Sequence, residues 1–407
     1  MRFIRKHAVF LVILLVMLIY RLVIWRHTQV YLYGDMYRYD AMARHLLLNG
    51  YMGIGSQPDA YYTPGYSLFL AAVYKISMWT HGGHLLPIIR VAHEVYFVQQ
   101  LLSLVNLVLV YILGSLFFNR WTGNAAALIA ALYLPNSFVG ELLLSENLFI
   151  PFLLLSLWTA YLALRHRRYS LYVLAGIVLG LATLVRPFIL PIVVLYLVGI
   201  WWQARTGRIQ GDRPYRQGLY FAFALVIGLV VALLPWWIRN YIDFHHFVPL
   251  STEAGNPLLA GASPYFQTPF SQLAAGAIAH HETQEKYAIH LILDGLTHHF
   301  FLYMGWFLFG KLYYLFWSPW LYNYIGWFVV YHRILTILGG ISVIAGLFIR
   351  RTRLFAVSIV FLLAMQLVFL PLFRYGYPLV VMMGALLPAV VAYLLKMRRR
   401  GTPFVEK

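Results

Sequence analysis

The sequence predicts an all-α polytopic membrane protein: a bundle of about ten transmembrane helices with interfacial helices in long external loops. Two features of the composition predict this class. Of the 407 residues, 62% are hydrophobic and only 11% are charged, whereas soluble domains carry about 25% charged residues. The formal net charge is +18, and 19 of the 31 basic residues fall in the two termini and in alternate connections between apolar runs. Soluble enzymes, disordered chains and nucleic-acid-binding modules are therefore poor fits.

Ten apolar runs approach the length of a bilayer-spanning helix, which needs roughly 17–25 residues. The first run follows a basic start and has no small-residue cleavage site, so we expect a retained anchor rather than a signal peptide. The fifth and sixth runs are short. We expect the spans at residues 7–25, 93–118, 123–140, 144–164, 171–185, 188–203, 218–237, 325–349, 354–371 and 377–395.

The basic residues indicate how these spans are oriented, because cytoplasmic connections are enriched in Lys and Arg. With the N-terminus in the cytoplasm, the inner connections and the two termini hold 19 basic and two acidic residues, a net charge of +17. The other 12 basic and 11 acidic residues fall outside or near the outer face. We therefore expect a multi-pass protein of the cell (inner) membrane, with both termini cytoplasmic and no nucleic-acid partner.

Two long segments lie outside in this topology, residues 26–92 and 238–324. The first is rich in tyrosine and contains the turn sequence from Tyr62 to Tyr66. The second contains an aromatic run from Phe300 to Trp320. A crossing there would reverse the sidedness of the following basic residues, so we expect a helix that lies along the membrane interface, where Trp and Tyr are favoured.

Ionisable and polar residues collect at the outer ends of the predicted spans. Such residues are costly at membrane depth and indicate a functional site by default. The sequence places there Asp35, Arg38, Glu141, Glu146, Arg186, Arg239, Asn240, Arg374 and Tyr375. Ordinary roles stay open, since Asp35 suits a helix cap and Glu146 a structural ion pair. The arginines at helix ends also suit headgroup contact or, before Pro187, the fixing of a helix end.

Carboxylates beside several arginines suit a reaction that moves a proton next to a phosphate. Arginine binds phosphate with two parallel hydrogen bonds, and a carboxylate accepts a proton from a hydroxyl. Asp35 and Arg38 are three residues apart, so a helix presents both on one side. Tyrosines such as Tyr39, Tyr62 and Tyr66 offer stacking surfaces and hydroxyls to a sugar, or form an interfacial aromatic belt.

The sequence assigns no cofactor and predicts no metal site. Its histidine pairs, such as His81 with His84 and His280 with His281, lack the spacing and the acidic partner of a helical zinc site, so a divalent metal has no support from the sequence. No cysteine is present, which excludes disulfide scaffolds and thiolate chemistry. Nucleotide-binding and serine-hydrolase motifs are also absent from the sequence.

At these residues the chain resembles the GT-C glycosyltransferases of the dolichyl-phosphate-mannose–protein mannosyltransferase and aminoarabinose transferase type, as a bacterial member. Seven short motifs carry the resemblance in order along the chain: Gly34 to Tyr39 with Ala43, Leu46, Gly50 and Tyr51; Tyr62 to Leu70; Leu144 to Phe149; Arg186-Pro187; Pro235 to Asn240; Ser251-Thr252 with Gly255-Asn256; and Arg374-Tyr375. One departure concerns the first loop, where many relatives have two adjacent acidic residues and this chain has Met36 after Asp35.

The resemblance implies a single glycosyltransferase domain over residues 1–407 that moves a sugar from a polyprenyl-phosphate donor to an acceptor hydroxyl outside the cytoplasm, with inversion. It implies Asp35 as the general base, with Glu146 as a second carboxylate. Expected phosphate-binding residues are Arg38, Arg186, Arg239 and Arg374, and expected substrate-binding residues are Tyr39, Tyr62, Tyr66, Asn240 and Tyr375. The acceptor is a glycan, a lipid or a protein.

Two other function classes stay open. A secondary transporter or flippase for an anionic or lipid-linked substrate would show inverted repeats and ionisable residues near mid-membrane. The polar residues here cluster at one face instead, which favours the enzyme. A non-catalytic assembly subunit would not need acids and arginines together.

Overall fold

Long apolar stretches of this chain form continuous helices, because in lipid each backbone polar group must find its partner within the chain. The computed structural model describes residues 2–209, 213–253 and 255–400. Those ranges contain helices and no strand, and seven of their helices are long and apolar enough to cross a membrane. The predicted all-α polytopic class is confirmed. Asp212 and residues 401–407, which entered the charge count, lie outside the described residues.

Two compact units divide the chain, Met1–Ser251 and Thr252–Lys407. In its described residues, the first unit contains α1 (Arg2–His27), α2 (Asp35–Asn49), α3 (Gly65–Thr80), α4 (Ile88–Phe117), α5 (Arg120–Leu132), α6 (Pro135–Phe138), α7 (Glu146–His166), α8 (Tyr169–Val185), α9 (Ile192–Arg205) and α10 (Pro214–Phe244). Short 3₁₀ turns at Val139–Glu141 and Pro187–Ile189 precede α7 and α9. The prediction of one domain over the whole chain stays a prediction.

The second unit combines short helices with three longer apolar ones. Its described residues form α11 (Gly255–Ala262), α12 (Phe270–Ala279), α13 (Gln284–His298), α14 (Phe300–Gly305), α15 (Lys311–Phe316), α16 (Gly326–Phe348), α17 (Arg353–Val368) and α18 (Phe373–Arg400). A π-helical turn, Trp306–Gly310, joins α14 to α15, so the predicted aromatic helix is present. The wholly buried Lys311 donates to three carbonyls at the end of α17, those of Leu367, Val368 and Phe369. Burial lowers the pKa of Lys311 to about 7.

Three of the ten predicted spans form helices shorter than the roughly 20 residues that cross a bilayer. They correspond to α5, α8 and α17, which have 13, 17 and 16 residues. The region 123–140 shows why: Asn119 caps the start of α5 by accepting from the backbone N–H of Thr122, and the helix ends where Tyr133 becomes extended. Asn136 then donates to the carbonyl of Ala130, so a polar turn replaces the predicted continuous helix.

Helices α8 and α10 approach each other closely because glycines face the contact. A Cβ atom at Gly176 would lie 2.0 Å from the carbonyl oxygen of Leu225, and one at Gly228 would lie 2.1 Å from that of Val173. Gly180, one turn after Gly176, would meet the side chain of Ala232 at 2.5 Å. Small residues four apart are the usual means of close helix packing in membranes. This contact fixes α8, and with it Arg186, against α10.

We expect Gly176→Ala to lower the melting temperature of the purified protein in detergent. Its methyl group collides with a backbone carbonyl, and overpacking typically costs about 1–3 kcal/mol. Gly340→Ala is the matched control, because a Cβ atom at this position in α16 meets nothing within 4 Å. Equal melting temperatures for the two variants would contradict the close α8–α10 contact.

Candidate active site in the first unit

The first functional candidate, Asp35, begins helix α2. The preceding Gly34 has φ +54°, a left-handed conformation that glycine adopts without steric cost. The Asp35 carboxylate is partly exposed and accepts a hydrogen bond from the Tyr62 hydroxyl at 2.8 Å. A helix N-terminus favours negative charge. The position and the hydrogen bond therefore both favour the ionised form that a general base requires.

Arg38 lies one turn further along α2 and meets Asp35 at the same tyrosine. Its Nη1 donates to the Tyr62 hydroxyl at 3.2 Å and to the Tyr61 hydroxyl at 3.5 Å. The guanidinium lies 5.3 Å from the centre of the Tyr61 ring. The hydrogen bond to Tyr62 raises the pKa of Arg38. Because the side chain is exposed, Arg38 presents positive charge to solvent beside Asp35.

Three tyrosines form a packed column beneath Asp35. Tyr39 stacks on Tyr62 with 4.8 Å between ring centres and meets the edge of Tyr66 at 4.9 Å. Tyr66 is wholly buried, which raises its pKa well above the usual value, and its hydroxyl donates to Gln99 Oε1 at 2.6 Å. The side-chain amide of Gln99 donates to the carbonyls of Gly140 and Leu142. The structure thus gives Tyr39 and Tyr66 packing contacts, and their substrate contacts stay a prediction.

Glu146 and Arg186 form a buried ion pair between α7 and α8. Arg186 Nη2 lies 2.6 Å from Glu146 Oε1, and Arg186 Nε donates to the Ser145 hydroxyl at 2.9 Å. Glu146 has no exposed surface and Arg186 retains 9% exposure. Because Glu146 starts α7, its carboxylate also faces the positive end of that helix. The structure therefore realises the ion pair that the sequence left open for Glu146.

Nearby Glu141 closes a turn between α6 and α7. It accepts a hydrogen bond from the Thr28 hydroxyl, just beyond α1. Burial raises the pKa of Glu141, and the Thr28 contact opposes that shift. The turn is thereby tied to the end of α1.

Arg239 lies inside α10, because that helix continues to Phe244 rather than ending near residue 237 as predicted. Its Nη1 donates to the carbonyl of Asp59 at 2.9 Å, and its Nη2 donates to the carbonyl of Met52. Its Nε pairs with Asp243 at 2.8 Å. In this structure Arg239 fastens the loop 52–59 to α10, so its predicted phosphate contact would require these bonds to exchange.

The other predicted residues divide between the units. Asn240 is wholly buried and donates from Nδ2 to the carbonyl of Val248 at 2.9 Å. Arg374 and Tyr375 lie at the start of α18 in the second unit, with the guanidinium 5.2 Å from the Tyr375 ring centre. Their part in a common site with Asp35 stays a prediction.

Sequence reasoning missed two acids that organise the first external segment. Asp59 accepts backbone N–H groups of Ile54 and Tyr61 through its carboxylate, which is typical of an Asp in a Gly- and Pro-rich turn. Asp40 accepts from Arg44 Nε and from the Tyr74 hydroxyl at 2.8 Å. The i, i+4 spacing of Asp40 and Arg44 on α2 was a signal for that pair.

Metal-binding residues do not cluster in residues 2–209, 213–253 and 255–400: no group of three or more His, Asp or Glu side chains there is suited to hold an ion.

Comparison with known proteins finds one matching family model and several solved structures with a similar fold. A family model described as dolichyl-phosphate-mannose-protein mannosyltransferase matches residues 88–236. The oligosaccharyltransferase of Archaeoglobus fulgidus in its apo form aligns with 99% of this chain and 53% of its own, with a TM-score of 0.58 and 14% identity. The same protein tethered by a disulfide to an acceptor peptide containing the NVT sequon aligns with 98% of this chain and 51% of its own, with a TM-score of 0.57 and 15% identity.

A third structure is AglB from the same archaeon, in complex with an inhibitory peptide and a dolichol-phosphate. It aligns with 98% of this chain and 52% of its own, with a TM-score of 0.53 and 13% identity. This chain therefore spans about half the length of these solved structures. No curated protein matches it. The family model and the shared fold confirm the resemblance to GT-C glycosyltransferases.

We expect Arg239→Gln to loosen the loop 52–59. Hydrogen bonds to a charged group are worth about 1.5–3 kcal/mol, so backbone amides of the loop should exchange with deuterium about tenfold faster or more. The measurement is hydrogen–deuterium exchange of the purified protein. Arg216→Gln is the control, because Arg216 lies at the opposite end of α10 and contacts Tyr220. Unchanged exchange in the Arg239 variant would show that the loop is held by other contacts.

Proposed function

We propose that this chain is an integral-membrane glycosyltransferase that moves a sugar from a polyprenyl-phosphate donor to an acceptor hydroxyl on the extracytoplasmic side. The observation that carries the proposal is the arrangement around Tyr62, where the carboxylate of Asp35 and the exposed guanidinium of Arg38 meet. The arrangement lies at the start of α2, in a chain whose fold resembles that of GT-C glycosyltransferases. It combines a proton acceptor and a phosphate-binding group within one helical turn.

The proposed reaction is a single displacement at the anomeric carbon. Asp35 accepts the proton of the acceptor hydroxyl as the oxygen forms its bond to that carbon. The bond from the anomeric carbon to the phosphate oxygen breaks, and polyprenyl phosphate leaves with the electron pair. Attack opposite the leaving group inverts the configuration. Positive charge placed near the leaving phosphate stabilises the charge that develops there.

Arg38 is the best-supported phosphate contact among the four predicted arginines. A guanidinium has five N–H donors, and the contacts of Arg38 with Tyr61 and Tyr62 use Nη1. Arg186 is buried against Glu146, and Arg239 binds the loop 52–59. Arg186 is thus committed to its ion pair with Glu146, and a phosphate contact of Arg374 stays a prediction.

The donor class is supported from two directions. The matched family model carries dolichyl-phosphate-mannose in its description, and the AglB structure is a complex with a dolichol-phosphate. Apolar helix surfaces of this chain suit an isoprenoid tail. The acceptor is a glycan, a lipid or a protein.

The proposed location is the cell (inner) membrane, with both termini cytoplasmic and Asp35 outside. The excess of basic residues in alternate connections supports this orientation. Contacts in the first unit agree with it, since Arg120 donates to the carbonyl of Lys6 at one end of α1. At the other end of α1, Thr28 contacts Glu141.

Replacing the proposed base tests the function directly. Asp35→Asn keeps an oxygen that can accept from Tyr62 but cannot take a proton, so turnover should fall about 10²–10⁴-fold. The assay follows transfer of sugar from a synthetic polyprenyl-phosphate sugar by the purified protein. Melting temperature and donor binding should be nearly unchanged.

Asp294→Asn is the matched control, because Asp294 is an exposed aspartate on α13 that pairs with His298. It should keep full turnover. Near-normal turnover of a folded Asp35→Asn protein would refute the assignment of the base and make Glu146 the next carboxylate to test.

The orientation is testable by cysteine labelling, since the chain has no cysteine of its own. In intact cells, Arg208→Cys should resist an impermeant thiol reagent and react only after permeabilisation. Ser56→Cys, in the exposed part of the loop 52–59, should react without permeabilisation. Labelling of Arg208→Cys from outside would overturn the topology.

A further inference from the structure

The hydroxyl of Tyr62 links the two charged groups of the candidate site. It donates its one proton to Asp35 Oδ1 at 2.8 Å and accepts from Arg38 Nη1 at 3.2 Å. A hydroxyl that accepts from a cation becomes a stronger donor to its other partner, because consecutive hydrogen bonds polarise one another. The contact with Arg38 therefore strengthens the hydrogen bond that Tyr62 donates to the carboxylate.

The ring of Tyr62 is held on several sides, so its hydroxyl has a fixed position. Only 5% of the residue is exposed. Tyr39 stacks on the ring, and Tyr61 meets it edge to face with 4.9 Å between ring centres. The next residue, Thr63, donates to the carbonyl of Val185 at 3.3 Å. This last bond ties the segment to the end of α8.

The loop before Tyr62 is fastened as well. Asp59 binds the backbone N–H of Tyr61 at 3.0 Å, and Arg239 binds the carbonyl of Asp59 at 2.9 Å. The backbone that carries Tyr62 is thus attached to α8 after the tyrosine and to α10 before it. A side chain supported in this way suits the orientation of another group better than adaptation to a substrate.

We infer that Tyr62 is a positioning residue for the proposed base: its hydroxyl fixes the orientation of the Asp35 carboxylate and favours the ionised form. This inference rests on the proposed function and changes the part assigned to Tyr62, from substrate contact to support of Asp35. A hydrogen bond donated to a carboxylate stabilises the charged form. Tyr62 and the guanidinium of Arg38 both face Asp35, and Tyr61 contacts Arg38.

The test replaces the hydroxyl and keeps the ring. In Tyr62→Phe, kcat should fall about tenfold or more, because a hydrogen bond to a charged group is lost. KM for the polyprenyl-phosphate sugar should stay within about twofold. The acid limb of the pH–kcat profile should move about one unit to higher pH, since the carboxylate ionises less readily without its donor.

Tyr74→Phe is a matched control within the same unit. Tyr74 donates to Asp40 at 2.8 Å, so this variant loses the same kind of bond to a carboxylate outside the proposed chemistry. It should lower the melting temperature and leave the acid limb in place. A Tyr62→Phe enzyme with wild-type kcat and an unmoved acid limb overturns the inference, while loss of activity in Asp35→Asn would still support the proposed function.

A second measurement does not depend on turnover. Protein labelled with carboxyl-¹³C aspartate is titrated by infrared spectroscopy, and subtraction of the Asp35→Asn spectrum isolates Asp35. The titration midpoint should lie higher in Tyr62→Phe than in the wild type. An equal midpoint overturns the inference even where no sugar transfer is detected, and absence of transfer by the wild type counts against the proposed function alone.

Discussion

The buried ion pair of Glu146 and Arg186 is the contact on which the polar end of the first unit depends. It joins the start of α7 to the end of α8 where both side chains are removed from water. Loss of one partner from a buried pair leaves an uncompensated charge, at a cost of about 3–5 kcal/mol. The pair therefore holds two helix ends in register.

The predicted first external segment, residues 26–92, contacts the helix ends that this pair joins. Thr63 binds the carbonyl of Val185, next to Arg186, and Tyr66 reaches Gln99, which holds the turn before α7. Tyr66 packs against Tyr39, Tyr39 stacks on Tyr62, and Tyr62 donates to Asp35. These contacts connect the buried helix ends to the Asp35 carboxylate. A rigid interior thus determines the geometry of a carboxylate at the solvent boundary. Such support is what preorganised chemistry requires of its scaffold.

Apolar length in the sequence predicted where most helices lie, because a bilayer demands continuous backbone hydrogen bonding. It did not predict where α5 begins and stops, since Asn119 at its start and Asn136 after its end act through side-chain bonds to specific backbone groups. It also placed the end of α10 near residue 237, whereas the helix continues through Arg239 to Phe244. Arg239 remains helical there because its charge is satisfied by Asp243 one turn later and by the loop 52–59.

The sequence offers candidate site residues, but it does not show which groups their side chains contact. Arginines near predicted helix ends all look like phosphate ligands in a sequence, because their charge is visible and their contacts are not. The structure separates them by burial: Arg186 and Arg239 bind protein atoms, and Arg38 faces solvent. Arg38 differs from them because it shares a hydrogen-bonding partner with Asp35, the hydroxyl of Tyr62. Tyr62 lies 24 residues after Arg38 in the chain. That separation is closed by the turn at Gly50, the loop held by Asp59 and Arg239, and the stack of Tyr39 on Tyr62, so the site is a product of long-range packing and not of any one motif.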